Sequence, residues 1–120
     1  MAKIERFEDI EAWQQARVVV KSVYMMTKKG QFQKDWGLKD QIQRAAVSVM
    51  SNIAEGFERR SDRDFCQFLF IAKASAGELR SLSYVAYDIE YIDKDTFESF
   101  LTTVESISKK ISAFIKYLRE

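Results

Sequence analysis

Histidine and proline are absent from this chain of 120 residues, cysteine occurs once and glycine four times, and each scarcity closes off a class of answer. A chain without histidine cannot supply the Glu-x-x-His motifs of carboxylate di-metal bundles, nor a general base beside a Ser or Cys nucleophile. The single Cys66 cannot form an internal disulfide or half of a Cys-based zinc site, which fits a reducing compartment, and it reads as a small packed hydrophobe. There is no GxxxxGK[ST] phosphate loop and no GxGxxG after a strand. No metal, cofactor or catalytic residue is therefore expected, and the chain is read as non-enzymatic. No apolar run approaches the roughly 20 residues of a membrane span, and the opening "MAKIERFEDIEAW" lacks the apolar core of a signal peptide. The expectation is a cytoplasmic protein with no membrane partner. Nineteen basic against eighteen acidic residues leave a net charge of +1, so nucleic-acid binding would need a local patch.

The same scarcity of proline and glycine favours long helices. In the first segment Ile10, Trp13, Val20, Tyr24 and Thr27 recur at helical spacing, and the helix is predicted to stop near Gly30. "GQFQKDWG" reads as a loop whose Phe32 and Trp36 fold over the bundle end. A second helix is predicted from Leu38 to Phe57, with Ile42, Ala45, Val49, Ile53 and Phe57 inward. Ser61 caps a third, whose inner positions are Phe65, Phe68, Ala72, Leu79, Leu82, Ala86 and Ile89. Asp93 caps a fourth, which carries Phe97, Phe100, Leu101, Val104, Ile107, Ile111, Phe114, Ile115 and Leu118. Four helices with short connections give a single all-α domain over residues 1–120, an antiparallel up-down-up-down four-helix bundle.

Two features are not explained by a minimal bundle. Within "AAVSVMSNIAEGFERRS", the polar residues Ser48, Asn52 and Glu55 share a helix with the core positions. Pairing the second and third helices across the short turn brings Arg44 near Ser75 and within about one helical turn of Glu78. Arg44, Ser48, Asn52, Glu55 and Glu78 therefore form a candidate inter-helix polar network, with an Arg44–Glu78 ion pair that specifies register more than it stabilises. A Glu55–Glu78 acid/base or metal pair is the functional alternative. Gly56 reads as either a helix stop or a point of close approach. The third helix also carries a second stripe, Phe70, Ala74, Gly77, Ser81, Tyr84 and Tyr91, with small residues between aromatics. Either that helix packs on several helices of one subunit, or the stripe is a subunit interface.

Bundle topology sorts the charges into two poles. One gathers Lys3, Arg6, Arg59, Arg60, Arg63, Lys116 and Arg119 with Glu5, Glu8, Asp9, Glu55, Glu58, Asp62, Asp64 and Glu120. The other gathers Lys28, Lys29, Lys34 and Lys39 with Asp35, Asp40, Asp88, Glu90, Asp93 and Asp95. Neither is an unopposed phosphate-binding surface, although a ring of subunits would repeat whatever small patch each one has.

The segments "FEDIEAWQQARVVVKSVYMMT", "GLKDQIQRAAVSVMSNIAEGFERRS", "FLFIAKASAGELRS" and "AYDIEYID" resemble the bacterial four-helix-bundle family named for proteins encoded in intervening sequences of 23S ribosomal RNA genes. "SNIAEG" followed by "RRS" is the most specific part, and the resemblance runs from about Phe7 to Leu118. It implies a four-helix subunit and, because relatives form rings of five, a homopentamer. A more distant similarity is to the accessory protein of diversity-generating retroelements, a five-membered barrel that acts with RNA and a reverse transcriptase. Where the family pattern reads "VPSNIAEG", this chain has Met50 in place of the proline, which leaves the second helix free to run straight and the ring size open. The resemblance favours the interface reading of the third helix and suggests structured RNA, ribosomal or other, as a partner. Lys28, Lys29, Arg59, Arg60 and Arg63 are the candidate phosphate contacts. The alternative is an oligomeric scaffold or adaptor for protein partners, with no RNA role.

Overall fold

The computed structural model describes residues 4–120; Lys3, counted above with one pole, lies outside the described residues. A 3-10 turn at Phe7–Asp9 leads into α1 (Glu11–Met26), followed by the short α2 (Gly30–Lys34), α3 (Trp36–Glu58), α4 (Asp62–Asp88) and α5 (Lys94–Arg119). The described residues contain no strand. The four long helices pack in a closed cycle in which α1 touches α3 and α5, and α4 likewise touches α3 and α5. The residue pairs run in opposite directions along each seam: Gln41 with Glu78 and Ser48 with Ser75 between α3 and α4, Tyr84 with Phe97 and Phe65 with Phe114 between α4 and α5. The result is an all-α bundle 45 Å long and about half as wide.

Helix starts follow local chemistry. Ser61 Oγ accepts from the Asp64 amide at 3.3 Å and Asp93 Oδ1 from the Thr96 amide at 2.7 Å, as expected of N-caps. These bonds to Thr96, from backbone first, hold the Asp93 carboxyl below its usual range. Asp35 caps α3 in the same way through Leu38 N at 3.1 Å, so α3 begins two residues earlier than the spacing predicts. α3 then runs unbroken through Met50 to Glu58.

The core is one contiguous cluster of side chains from all four long helices, and Cys66 is packed in it. On α5 the predicted face is the buried face, with Leu101, Phe114 and Leu118 half-buried at its edges. On α1 the buried line is Ala12, Trp13, Ala16, Val19 and Val23, while Val20 is half-buried and Tyr24 is exposed. Two alanines let α1 sit close to its neighbours, and that rotates the seam by one residue from the aromatic-led pattern. On α4, Ile89 lies past the helix end and is exposed, while Leu69, Ala76 and Ser83 are buried instead. Ser83 is accommodated because its hydroxyl donates to the Arg80 carbonyl at 2.6 Å.

The "GQFQKDWG" segment is a short helix, not a loop, and its two aromatics part company. Phe32 is fully buried, with its ring 5.1 Å from Tyr91. Trp36 opens α3 and stands in solvent. Asp35 also fastens this end of the molecule: its Oδ2 accepts from the Tyr91 hydroxyl at 2.9 Å, and that bond, followed by burial, raises the Tyr91 phenol above its ordinary value. Tyr91, one of the interface candidates, thus belongs to a contact within the subunit.

Gly56 lies inside α3 at a point of close approach to α4. A Cβ there would fall 2.7 Å from Phe68 Cβ, 3.0 Å from Phe65 Cδ1 and 3.3 Å from the Phe65 carbonyl oxygen. Of the two sequence readings it is the close approach, since the helix continues past it. Gly56→Ala gains about 1 kcal/mol of helix propensity, but Phe68 Cβ cannot swing aside, and overpacking costs about 1–3 kcal/mol. We expect a net loss in urea denaturation, the opposite of an ordinary Gly→Ala change in a helix. For Tyr91, the raised phenol value means that its contact stabilises the fold below the ordinary value near 10 and ceases to do so as pH rises through the folded-state value. The stability difference between wild type and Tyr91→Phe should shrink above pH 10 in thermal melts.

Candidate functional site

The polar seam predicted between α3 and α4 is smaller than the residue types suggest. Ser48 Oγ and Ser75 Oγ meet at 2.7 Å across the two helices, and Asn52 Nδ2 donates to Ser48 Oγ at 3.0 Å and to the Ser48 carbonyl at 2.8 Å. These three half-buried residues satisfy one another. The Arg44–Glu78 ion pair does not form. Arg44 Nε instead donates to Asp40 one turn back, at 2.9 Å and with both side chains mostly in water. Glu78 accepts only from Gln41 Nε2, at 3.4 Å. Neighbouring helical turns offer the exposed Arg44 a partner that needs no desolvation, so the local pair wins. Glu55 is likewise exposed and pairs with Arg59 at 3.3 Å, so Glu55 and Glu78 share neither a site nor a buried environment.

The second stripe of α4 faces outward. Phe70, Ala74, Gly77, Ser81 and Tyr84 are all exposed, and a Cβ added at Gly77 would meet nothing within 4 Å. At 100° per residue these five fall within one narrow sector, with Arg63 on the same line two turns before Phe70. Tyr84 leans on Phe97 of α5 at 5.0 Å between ring centroids, yet keeps nearly half its surface in solvent. Ile71 and Val85, on the flank towards α3, are exposed too. The alternative in which α4 buries this stripe within one subunit does not hold, because each neighbouring helix touches a different side of it.

α1 is diagonal to α4 in the cycle, so its outer face points the other way. There Val18 and Met25 are exposed beside a groove of about 630 Å³ between α1 and α5, whose walls include Lys21, Lys29, Asp95 and Thr103.

The five candidate phosphate contacts do not share a surface. Lys28 and Lys29 are exposed just past the end of α1, whereas Arg59, Arg60 and Arg63 are exposed around the α3–α4 turn, at the other end of the 45 Å axis. At the arginine end the charges are engaged: Arg59 pairs with Glu55 and its guanidinium lies 4.9 Å from the Phe68 ring, and Arg60 lies 5.7 Å from the Phe57 ring. At the lysine end, among the described residues, no carboxylate is within ion-pair distance of Lys28, Lys29, Lys34 or Lys39. Trp36 joins this end, a residue the periodicity assigned to a packed loop. Its signal was present: the residues three and four places on are Lys39 and Asp40, so a helix starting at Trp36 gives the ring no apolar neighbour on its own face.

The model of the 23S rRNA-intervening sequence protein family matches residues 8–113. The chain belongs to that family. Among solved structures it is similar to a protein of unknown function from the S23 ribosomal protein family of Bacteroides thetaiotaomicron, with a TM-score of 0.75 and 27% identity over 88% of this chain and 94% of that one. No curated protein is a match. The matched region takes in α1 to α4 and α5 as far as Ala113, so the α4 face and Lys28, Lys29, Arg59, Arg60 and Arg63 lie within it. Among the described residues no three His, Cys, Asp or Glu side chains are grouped to hold a metal ion, and no helix is long and apolar enough to cross a membrane.

With Arg44 mostly exposed, Arg44→Leu should change stability by about 0.5 kcal/mol or less, where a buried pair broken at one partner would lose about 3 kcal/mol or more. Ser75→Ala, which takes from the Ser48 hydroxyl its partner across a half-buried seam, should cost about 1 kcal/mol. Chemical denaturation of the two variants distinguishes the two sites.

Proposed function

We propose that this family member is a non-enzymatic subunit of a ring-shaped homo-oligomer, five-membered as its resemblance implies, that binds structured RNA through basic residues repeated around the ring. The observation that carries the assembly is the α4 face. Small residues at Ala74, Gly77 and Ser81 leave room for a neighbouring backbone, and Phe70 and Tyr84 offer apolar area that is exposed in a lone subunit. A ring needs two different faces on opposite sides of each subunit, and the α1–α5 groove flanked by Val18 and Met25 lies diagonally across from α4. The RNA reading is supported by lysines without acidic partners at one end and by Arg63 in line with the α4 stripe. The balanced charge of the arginine end supports the second reading, a scaffold whose partners are proteins.

Native mass spectrometry separates these. Wild type should show a multiple of the 14.0 kDa chain mass, and Gly77→Leu should collapse it towards one chain while circular dichroism stays helical. An unchanged mass for the variant overturns the α4 interface. RNA affinity should fall steeply with salt, because each phosphate contact releases counterions. A salt-independent affinity, or protein partners retained after nuclease treatment with no RNA bound, moves the function to the scaffold.

A further inference from the structure

The exposed tryptophan deepens the RNA reading, on which the following rests. Trp36 is 74% exposed, the most exposed of the large apolar side chains among the described residues, although tryptophan is usually found well covered. Its ring is nevertheless held in place. The Lys39 ammonium lies 3.8 Å from the ring centroid, and the same ammonium donates to the Gln33 carbonyl at 3.1 Å, so it is pinned between α2 and the indole. One face of the indole carries a cation and the other meets solvent.

The charge around the ring is one-sided. Residues 28–39 contain four lysines and a single acid, Asp35. Both oxygens of Asp35 are turned to the protein, one to the Leu38 amide and one to the Tyr91 hydroxyl. Asp40 is paired with Arg44. Acids do stand at the same end on the α4–α5 corner: Asp88 and Glu90 are exposed there, Asp93 is occupied in capping Thr96, and Asp95 lines the groove with Lys29. That corner opposes a broad polyanion and confines the attractive area to the α2 side.

We propose that the Trp36 end of each subunit is a landing site for unpaired nucleotides of RNA, with one base stacked on the open face of the indole and Lys34 and Lys39, aided by Lys28, meeting the adjacent phosphates. The base must be unpaired because in an A-form duplex the base faces are occupied by their neighbours, whereas a loop or single strand offers them to an aromatic ring. A flat aromatic with flanking cations accepts any base, so the site is tolerant of sequence and takes one or two nucleotides per subunit. Repetition around an assembly would multiply it by avidity.

The intact full-length protein supplies its own probe, since of its two tryptophans Trp13 is buried and Trp36 is exposed. A 12-nucleotide oligouridylate and a blunt RNA duplex are titrated into wild type, Trp36→Ala and Trp36→Phe, reading tryptophan emission, fluorescence anisotropy of labelled RNA and native mass. The proposal expects quenching by oligouridylate in wild type, about tenfold or greater loss of oligouridylate affinity in Trp36→Ala, substantial retention in Trp36→Phe, and no comparable loss on the duplex. Lys34→Ala should flatten the salt dependence by about 0.7 in log–log slope. If wild type binds RNA but Trp36→Ala binds oligouridylate equally well, the platform is wrong and the RNA reading survives. If wild type binds neither RNA, both fall. A blue shift of Trp36 emission on phosphatidylserine vesicles without quenching by oligouridylate overturns the proposal in favour of a membrane surface, and a drop in native mass for Trp36→Ala overturns it in favour of a subunit contact.

Discussion

The close approach of α3 and α4 at Gly56 is the constraint on which the rest of the molecule depends. Only a residue without a Cβ lets Phe65 and Phe68 come within 3 Å of where a side chain would begin. That proximity fixes the register of α3 and α4 immediately before their turn. Register then places Ser48 opposite Ser75, two helical turns further along, so that three polar side chains satisfy one another in the seam. It also decides which residues of α4 cannot be covered. With α3 on one flank and α5 on the other, Phe70, Ala74, Gly77, Ser81 and Tyr84 are left outside.

Gly56 and Gly77, each inside a long helix, illustrate how the same residue type serves opposite needs. Gly56 is buried against aromatic side chains of its own subunit; a Cβ at Gly77 would meet nothing within 4 Å. A helix interior glycine is unfavourable by about 1 kcal/mol relative to alanine, so Gly77 has no stabilising role that the lone subunit accounts for. Its place between exposed Ala74 and Ser81 makes sense where another surface approaches α4. The polar side of the molecule shows a comparable contrast. Arginines at the α3–α4 turn lie against aromatic rings and glutamate, whereas among the described residues the lysines beyond α1 have no carboxylate within ion-pair distance. The number of basic residues at an end therefore does not measure their availability for an anionic partner.

Much of the bundle was legible because its helices are amphipathic and its boundaries are written in capping residues. Ser61 and Asp93 cap the helices they were expected to cap, and the inner line of α5 follows its apolar spacing. The misreadings share a cause. Arg44 and Glu78 were paired by helical geometry alone, but whether a charge reaches across a seam or folds back to Asp40 depends on how much water it retains. Helical spacing puts Tyr24 on the inner line with Val20, while Ala12 and Ala16 set the seam by being small. Phe32 and Trp36 look alike in the chain, and only the packing of α2 against Tyr91 buries one and leaves the other in solvent.

By itself the sequence determined that the chain is all helical, where its long helices begin and end to within a few residues, and that neither histidine chemistry nor a cysteine pair is on offer. These properties are local, set by spacing, caps and composition. Tertiary structure alone decided which faces stay open: that the α4 stripe and the α1–α5 groove lie on opposite sides, that the basic candidates divide between two distant ends, and that Trp36 is presented rather than packed. Exposure is a property of what the other helices leave uncovered, and no stretch of chain carries it by itself.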